Sequence, residues 1–520
     1  MTGTGPRVAG GIVAAGLVVG VAELVAATIA PGSAPLAAVG SAVVDRTPVA
    51  VREWVIGAVG TDDKLLLFVV MGVVAVIVAG IAGVVERGGR PLGSALFVVF
   101  GILAAAAAVT RPGASWTWVL PSVIGAGLGI VALRRLIHRV EIWESDAVPA
   151  IENASGAADS DARSAVGRRQ VIRGVVGVGV LAAVAGLAGR VLGTRTRNVA
   201  PERAALRLPV PNSPAPPIDP AADLRIPGLT PFLTDNGDFY RIDTALFVPQ
   251  VSADTWSLRI HGMVDREIRL SYADLAARPA VERVVTLMCV SNPVGGDLIG
   301  NARWLGYRLA DLIAEAGPHP DADMVLSRST DGFTAGSPLA TLVDGRDALL
   351  AIGMNGQPLP VEHGYPARLV VPGLYGYVSA TKWVTEIEIT RFDRAQAYWT
   401  KRGWSAYGPI KTGTRIDTPG GGRNVKPGRA TVAGVAWAQH RGITGVEVQI
   451  DSGPWQSARL AAVPSLDTWR QWAYDWDAAP GLHTVRARAI DETGRPQTAE
   501  VRDVLPDGAT GYPSVTVRVG

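Results

Sequence analysis

Before residue 195 the chain carries five apolar stretches long enough to cross a lipid bilayer, and nothing else in it constrains the fold as strongly. A helical crossing takes about 20 residues. In lipid each backbone N–H and C=O must be satisfied within the segment, so such stretches are helices. They run from about Val8 to Ala30, Leu65 to Val85, Leu92 to Val109, Trp116 to Leu133 and Gly174 to Leu192. Mean hydropathy is +0.24 and 48% of residues are hydrophobic. That excess sits in these stretches; beyond residue 195 the sequence reads as ordinary globular protein.

The flanking charges predict an orientation. Arg7 precedes the first stretch, Arg87 and Arg90 lie between the second and third, and Arg134, Arg135 and Arg139 follow the fourth. The first loop is mixed in sign, with Asp45, Arg46, Arg52, Glu53, Asp62, Asp63 and Lys64. Cytoplasmic loops carry the excess of Lys and Arg, so the N-terminus is expected in the cytoplasm and everything after residue 195 outside it. Glu23 lies inside the first stretch, either as a functional carboxylate or as a packing contact to a polar group of another helix. No histidine lies inside a stretch, so paired haem ligands are not expected there.

Composition shifts divide the chain into a four-span membrane domain (1–140), a cytoplasmic linker (141–167), a segment with the fifth span (168–195) and a Pro/Ala-rich tether (196–223). Two soluble parts follow, 224–393 and 394–520. The fifth span is preceded by Gly167-Arg168-Arg169-Gln170-Val171-Ile172-Arg173. The arginine pair has two readings, a twin-arginine-like export signal or ordinary positive flanking. Net charge is +3, and no basic stripe interleaves with aromatics, which argues against a nucleic-acid partner. No phosphate-binding Walker loop, Gly-x-Ser-x-Gly or His-Glu-x-x-His is present.

In the soluble part, Trp256–Gly262 and Trp383–Ile389 alternate as strands. Tyr272–Ala277 reads as a short helix capped by Ser271, and Leu309–Ala316 as another. This is an α+β pattern. After about Arg394 helical signals fade, and Ala430–Ala438, Gly445–Asp451 and His483–Asp491 read as strands of a β-sandwich, with a boundary near residues 393–425.

One cysteine stands in 520 residues, Cys289, after the apolar run Val284-Val285-Thr286-Leu287-Met288. A single cysteine forms no intrachain disulfide. By itself it is either a small buried hydrophobe or a thiolate that holds a soft metal or acts as nucleophile.

Several blocks beyond Leu224 resemble the sulfite oxidase family of molybdenum enzymes. They are Asp238-Phe239-Tyr240-Arg241-Ile242-Asp243, Cys289-Val290-Ser291-Asn292, Ala302-Arg303-Trp304-Leu305-Gly306, His363-Gly364-Tyr365-Pro366-Ala367-Arg368, and Pro372-Gly373-Leu374-Tyr375-Gly376 leading to Thr381-Lys382-Trp383. The resemblance implies an α+β molybdopterin domain followed by an immunoglobulin-like β-sandwich of the dimerisation type, behind the all-α bundle of five spans. It implies a molybdenum–pterin cofactor with Cys289 as the metal's thiolate. It places Arg368 and Lys382 at the pterin's anionic tail, His363 against the pterin, Tyr240, Arg241 and Asp243 at the cofactor or substrate mouth, and Asn292 beside the thiolate loop. Tyr398 or Tyr407 would stand over the metal. Singly, each of these residues also fits a bland role: a surface ion pair for Arg368, a solvated Lys382, a loop His363.

The chain also departs from the pattern. Sulfite oxidases follow the metal cysteine with Gly-Asn and two arginines that help bind the anion; here stand Ser291-Asn292-Pro293-Val294. Each lost charge-assisted contact removes on the order of 1–3 kcal/mol of anion binding. The expected activity is therefore oxygen-atom transfer on a sulfoxide or N-oxide rather than sulfite, outside the cytoplasm, with electrons exchanged through a separate carrier and no haem or iron–sulfur cluster in the chain. The alternative is a non-catalytic membrane scaffold on the same fold.

Overall fold

The computed structural model describes residues 4–48, 51, 54–55, 59, 63–147 and 157–520. Arg52, Glu53 and Asp62 of the first loop, and residues 148–156 of the expected linker, lie outside the described residues. The chain forms two compact units, Met1–Asn198 and Val199–Gly520.

The first unit is helical: α1 (Thr4–Ile29), α2 (Pro35–Arg46), α3 (Asp63–Val85), α4 (Leu92–Val109), α5 (Leu120–Ala147) and α6 (Ala157–Arg197). Five of these helices, all but α2, are long and apolar enough to cross a membrane. Their outward faces are apolar too: Val73 and Ile77 of α3, Ile102 and Leu103 of α4, and Val184 and Leu187 of α6 are all exposed. A helix apolar all round suits lipid rather than water. α1 is the central helix, packed against α3, α5 and α6. Small residues permit the approach, since a Cβ on Gly11 would strike the Ala79 carbonyl and one on Gly83 the Arg7 carbonyl. At one end Arg7 is buried, donating to Glu144 at 2.6 and 3.1 Å and to the Glu86 carbonyl at 3.1 Å. Buried Glu86 accepts from the Ser94 N–H at 2.7 Å and so caps α4. Glu23 is half-buried, close enough to Arg190 of α6 to feel its charge. The twin arginines, Arg168 and Arg169, fall inside α6, which begins within the stretch read as linker.

In the second unit two sheets organise the α+β part. The first contains β3 (Val281–Met288), β4 (Ile299–Arg308), β7 (Leu349–Met354) and β8 (Arg368–Val370), in the order β3-β4-β7-β8, with the short Gln357–Pro358 strand also on β7, all antiparallel. The second holds β1 (Ser257–Gly262), β2 (Ile268–Ser271), β5 (Met324–Ser329), β6 (Thr334–Pro338) and β9 (Val384–Thr390), in the order β2-β1-β9-β5-β6. Only β1 and β9 run parallel. The short helix Tyr272–Ala276 starts on a capping box, with Ser271 and Asp274 satisfying each other's backbone N–H groups. Leu309–Ala316 is a helix, with Leu309, Leu312, Ile313 and Ala316 buried on one face.

From Gly413 the chain forms two further sheets. One holds β10 (Gly413–Thr418), β11 (Gly428–Trp437) and β13 (Arg470–Ala478); the other holds β12 (Ile443–Ile450), β14 (Gly481–Asp491) and β15 (Ser514–Val519). Val432, Trp472, Val448, Ala487 and Val517 bury one core between them, a two-sheet packing. Residues 394–412, placed by composition with this part, hydrogen-bond back to the first: Tyr398 to Thr334, Ile410 to Gly373. Residues 199–223, read as a tether, are likewise packed down. Arg203 donates to the carbonyls of Pro358 and Leu359, both at 2.7 Å, and Glu202 accepts from Tyr365 at 2.6 Å. Pro-rich composition signals missing secondary structure, not missing contacts.

Candidate active site

Cys289 follows the last residue of β3, an edge strand, and is buried. Its N–H donates to the Leu298 carbonyl at 2.9 Å, closing the loop 290–297 into a tight excursion. The strand beneath is braced by a buried polar cluster. Thr286 donates to Asn301 at 2.9 Å and accepts from the Trp469 N–H at 2.7 Å, while Gln439 donates to the Thr286 carbonyl at 3.2 Å. Arg415 of β10 reaches the loop tip, donating to the Gly296 carbonyl at 3.2 Å, and is itself held by Asp417 at 2.5 Å. Cys289 is thus mounted on a rigid element, as a functional site needs.

Within the loop, Asn292 is 2% exposed. Its Oδ1 accepts from the Leu298 N–H at 2.8 Å, which fixes the amide orientation. Among the described residues its Nδ2 has no partner. A buried, unsatisfied amide donor costs about 1–3 kcal/mol, and marks a place where an acceptor is wanted. Burial pushes the Cys289 thiol up from its ordinary value, and hydrogen bonds from Ser291 act the other way.

Beside Cys289 stands Tyr240, which also feels Arg368 and is pushed up mainly by burial. The ring of Phe239 stacks on Tyr240 at 5.2 Å and meets Trp304 and His363 edge-on at 5.7 and 5.6 Å. Arg368 is 5% exposed with its guanidinium 5.0 Å from the Trp304 ring. Its hydrogen-bond partners are the carbonyls of His363, Leu369 and Ala380 at 3.1–3.5 Å. Burial lowers it to about 10. No carboxylate pairs with it among the described residues, an unusual state for a buried charge.

Lys382, also buried, donates to Asp243 and to the Glu362 carbonyl at 2.8 and 3.1 Å, and burial lowers it to about 8. Arg241 shares Asp243 at 2.9 Å from the exposed side. His363 is buried against the Asn236 carbonyl at 3.1 Å. Burial, with Arg368 and Lys382 nearby, lowers it to about 4, so its ring is neutral at neutral pH. Gly364 makes this cluster possible. Its φ is +111°, and a Cβ there would lie 3.0 Å from that of Arg368 and 3.1 Å from that of Lys382.

Tyr398 packs at the edge of the other sheet. Its N–H pairs with Thr334 on β6, the edge strand of the other sheet, and its ring lies 3.6 Å below the Arg402 guanidinium and 5.7 Å from Phe333. Tyr407 is exposed and packs on Phe392. The tyrosine that does approach Cys289, besides Tyr240, is Tyr375, 2% exposed and pushed up to about 12 by burial. The following Gly376 lies against the Met288 carbonyl and the Tyr240 hydroxyl. The signal for Tyr375 was its place in a Gly-Leu-Tyr-Gly turn, where a bulky ring between glycines is led back onto the core.

Comparison with known proteins agrees with this geometry. Residues 245–399 match the family described as oxidoreductase molybdopterin binding domain. The chain is 34% identical over 153 residues to an uncharacterized oxidoreductase of Bacillus subtilis, YuiH, covering 29% of this chain and 74% of that protein. It is 30% identical over 288 residues to the mitochondrial sulfite oxidase of Homo sapiens, covering 46% of this chain and 52% of that one. The chain thus spans about half the length of the sulfite oxidases it matches. Among solved structures, the sulfane dehydrogenase SoxCD from Paracoccus pantotrophus shares the fold at a TM-score of 0.50 and 23% identity, over 61% of this chain and 91% of that one.

Proposed function

Because the chain belongs to the sulfite oxidase family of molybdopterin-binding oxidoreductases, we propose that it carries out oxygen-atom transfer at a molybdenum–pterin held beside Cys289, on a sulfoxide or N-oxide rather than on sulfite. The observation that carries this reading is the pairing of one buried thiol with a carboxylate-poor cluster of buried cations. The residues fit the group. Among the described residues no three His, Cys, Asp or Glu side chains gather, so a metal at Cys289 would take its other ligands from a cofactor, as a dithiolene provides. Arg368 and Lys382 would hold the pterin's anionic tail, with His363 and Tyr240 along its body, and the orphan Asn292 Nδ2 is a donor free for the metal's surroundings.

When bound, the cofactor supplies the two-electron oxygen exchange. In the reducing direction the S–O or N–O bond of the substrate breaks. Two electrons and two protons enter, and a thioether or amine leaves with water. The electrons come from a separate carrier. The chain's own part is to bind, orient and desolvate. Pro293 and Val294 offer a sulfite dianion no charge where sulfite chemistry wants cations. On the molybdenum-loaded chain, reduction of an alkyl aryl sulfoxide or an aromatic N-oxide is expected to exceed sulfite oxidation at least tenfold in kcat/KM. The reverse order would overturn the substrate assignment.

The same reading places the oxidoreductase unit outside the cytoplasm on a five-span anchor. Its support is the five apolar helices, the arginine bias of the flanks and the arginine pair before the fifth span. The C-terminal sandwich is proposed as immunoglobulin-like and as a dimer contact. Protease added to right-side-out membrane vesicles is expected to digest the 199–520 unit; protection there, with digestion in inverted vesicles, would reverse the topology.

A further inference from the structure

A cavity of about 390 Å³ opens beside the Cys289 loop, within the about 300–1,000 Å³ of small-molecule sites and far larger than one inorganic oxyanion fills. Met288, Asn292, Pro293, Val294, Gly295 and Tyr375 form one wall, so it adjoins the Cys289 loop directly. The opposite wall comes from Lys411, just before the sandwich, and from the sandwich itself, including Arg495, Gln497, Arg502 and Gly511. That wall is fixed in place. Gln497 is buried, donates to the Gly511 carbonyl at 2.6 Å and accepts from the Ala489 N–H at 3.2 Å.

The charges around the cavity cancel almost completely. Lys411 pairs with Asp507 at 2.8 Å, Arg502 with Glu500 at 2.8 Å, and Asp491 with Arg441 at 3.4 Å. Arg495 is the exception: among the described residues its guanidinium has no ion pair and no hydrogen bond, and it is exposed. The apolar part of the lip is Val294, 39% exposed; Val501, 85% exposed, lies next to the lining residue Gly511. A pocket of this size, with a partly apolar lip and one uncompensated cation, suits an organic body with a single negative group. It offers no clamp for a small dianion.

Resting on the oxidoreductase reading above, we infer that this cavity is the substrate pocket and that its substrate is an organic S- or N-oxide bearing one carboxylate, which Arg495 binds. The sandwich then selects the substrate for a reaction centred on the other part of the unit. The carboxylate fixes orientation, and the oxide group points to the Cys289 side.

The test uses the molybdenum-loaded full chain in detergent, titrated calorimetrically with para-(methylsulfinyl)benzoate and with the corresponding benzamide. The carboxylate is expected to bind about tenfold tighter than the amide, the worth of one charge-assisted contact. In Arg495→Glu that ratio is expected to fall below one, and Val294→Trp, which fills the lip, should weaken both ligands at least tenfold. A ratio near one in the wild type, or one unmoved by Arg495→Glu, overturns the inference. Binding and turnover separate the two claims. A chain that binds the pair as expected but reduces neither keeps the pocket and loses the oxidoreductase reading for this substrate class. A chain that reduces both alike loses the selectivity and keeps that reading.

Discussion

Replacing Cys289 with serine is expected to remove the bound molybdenum and, with it, the oxygen-transfer activity, while the 199–520 unit stays folded. The substitution is nearly isosteric in a site where Cys289 is 7% exposed, so packing changes little. Burying a hydroxyl in place of a thiol costs about 1–3 kcal/mol, less when Ser291 offers it a hydrogen bond, as it does to the thiol. The metal feels a larger change, because a soft thiolate becomes a hard and weakly acidic hydroxyl. Substitution of outer-shell partners alone typically costs 10–100-fold in metal affinity, and loss of the protein's one ligand should exceed about 100-fold. Metal analysis by mass spectrometry, with circular dichroism of the same sample, reads both quantities. Full molybdenum content with normal turnover in Cys289→Ser would remove Cys289 from the site and revive the scaffold alternative.

The second large effect concerns Arg368, and it separates a ligand-binding arginine from a structural one. Breaking a buried ion pair costs about 3–5 kcal/mol, because a charge is left unpaired. Arg368 has no carboxylate to abandon; its contacts are three carbonyls and the face of Trp304. Arg368→Met keeps the aliphatic stem and removes a charge that is expensive to bury. The cofactor-free protein is therefore expected to change by less than about 2 kcal/mol in urea denaturation. Cofactor content should fall at least tenfold, since a charge-assisted contact to an anionic tail is worth about 1.5–3 kcal/mol. A loss of 3 kcal/mol or more without cofactor, at undiminished pterin content, would make Arg368 structural.

Much of the architecture was legible because its signals are local. Apolar length marked the five long helices, and period-two alternation located Ser257–Gly262, Val384–Thr390 and Gly481–Asp491 within a residue or two. The Ser271 cap was readable from residue types alone. Contacts made by sequence without regular structure were not. The stretch 196–223 read as a tether and 394–412 as part of the sandwich, yet single side chains such as Arg203 and backbone groups such as that of Ile410 pin them to the α+β part. Which tyrosines approach Cys289 was not legible either, because that depends on tertiary packing, and it brings Tyr240 and Tyr375 there.

Through its resemblance to the sulfite oxidase family the sequence pointed to the kind of cofactor and to the doubt about sulfite. One thiol, a spaced set of His, Arg and Lys, and Pro-Val where arginines were wanted are chemical facts that need no coordinates. It also determined that the five apolar stretches before residue 195 are helices suited to lipid, because an apolar run of that length has no other way to satisfy its backbone. Tertiary structure alone decided that Arg368 is a buried cation without a counter-charge among the described residues, that Tyr375 approaches Cys289, and that Arg495, two hundred residues from Cys289, lines the cavity beside the Cys289 loop. Charge compensation and burial are sums over neighbours in space, and those neighbours come from segments far apart in the sequence.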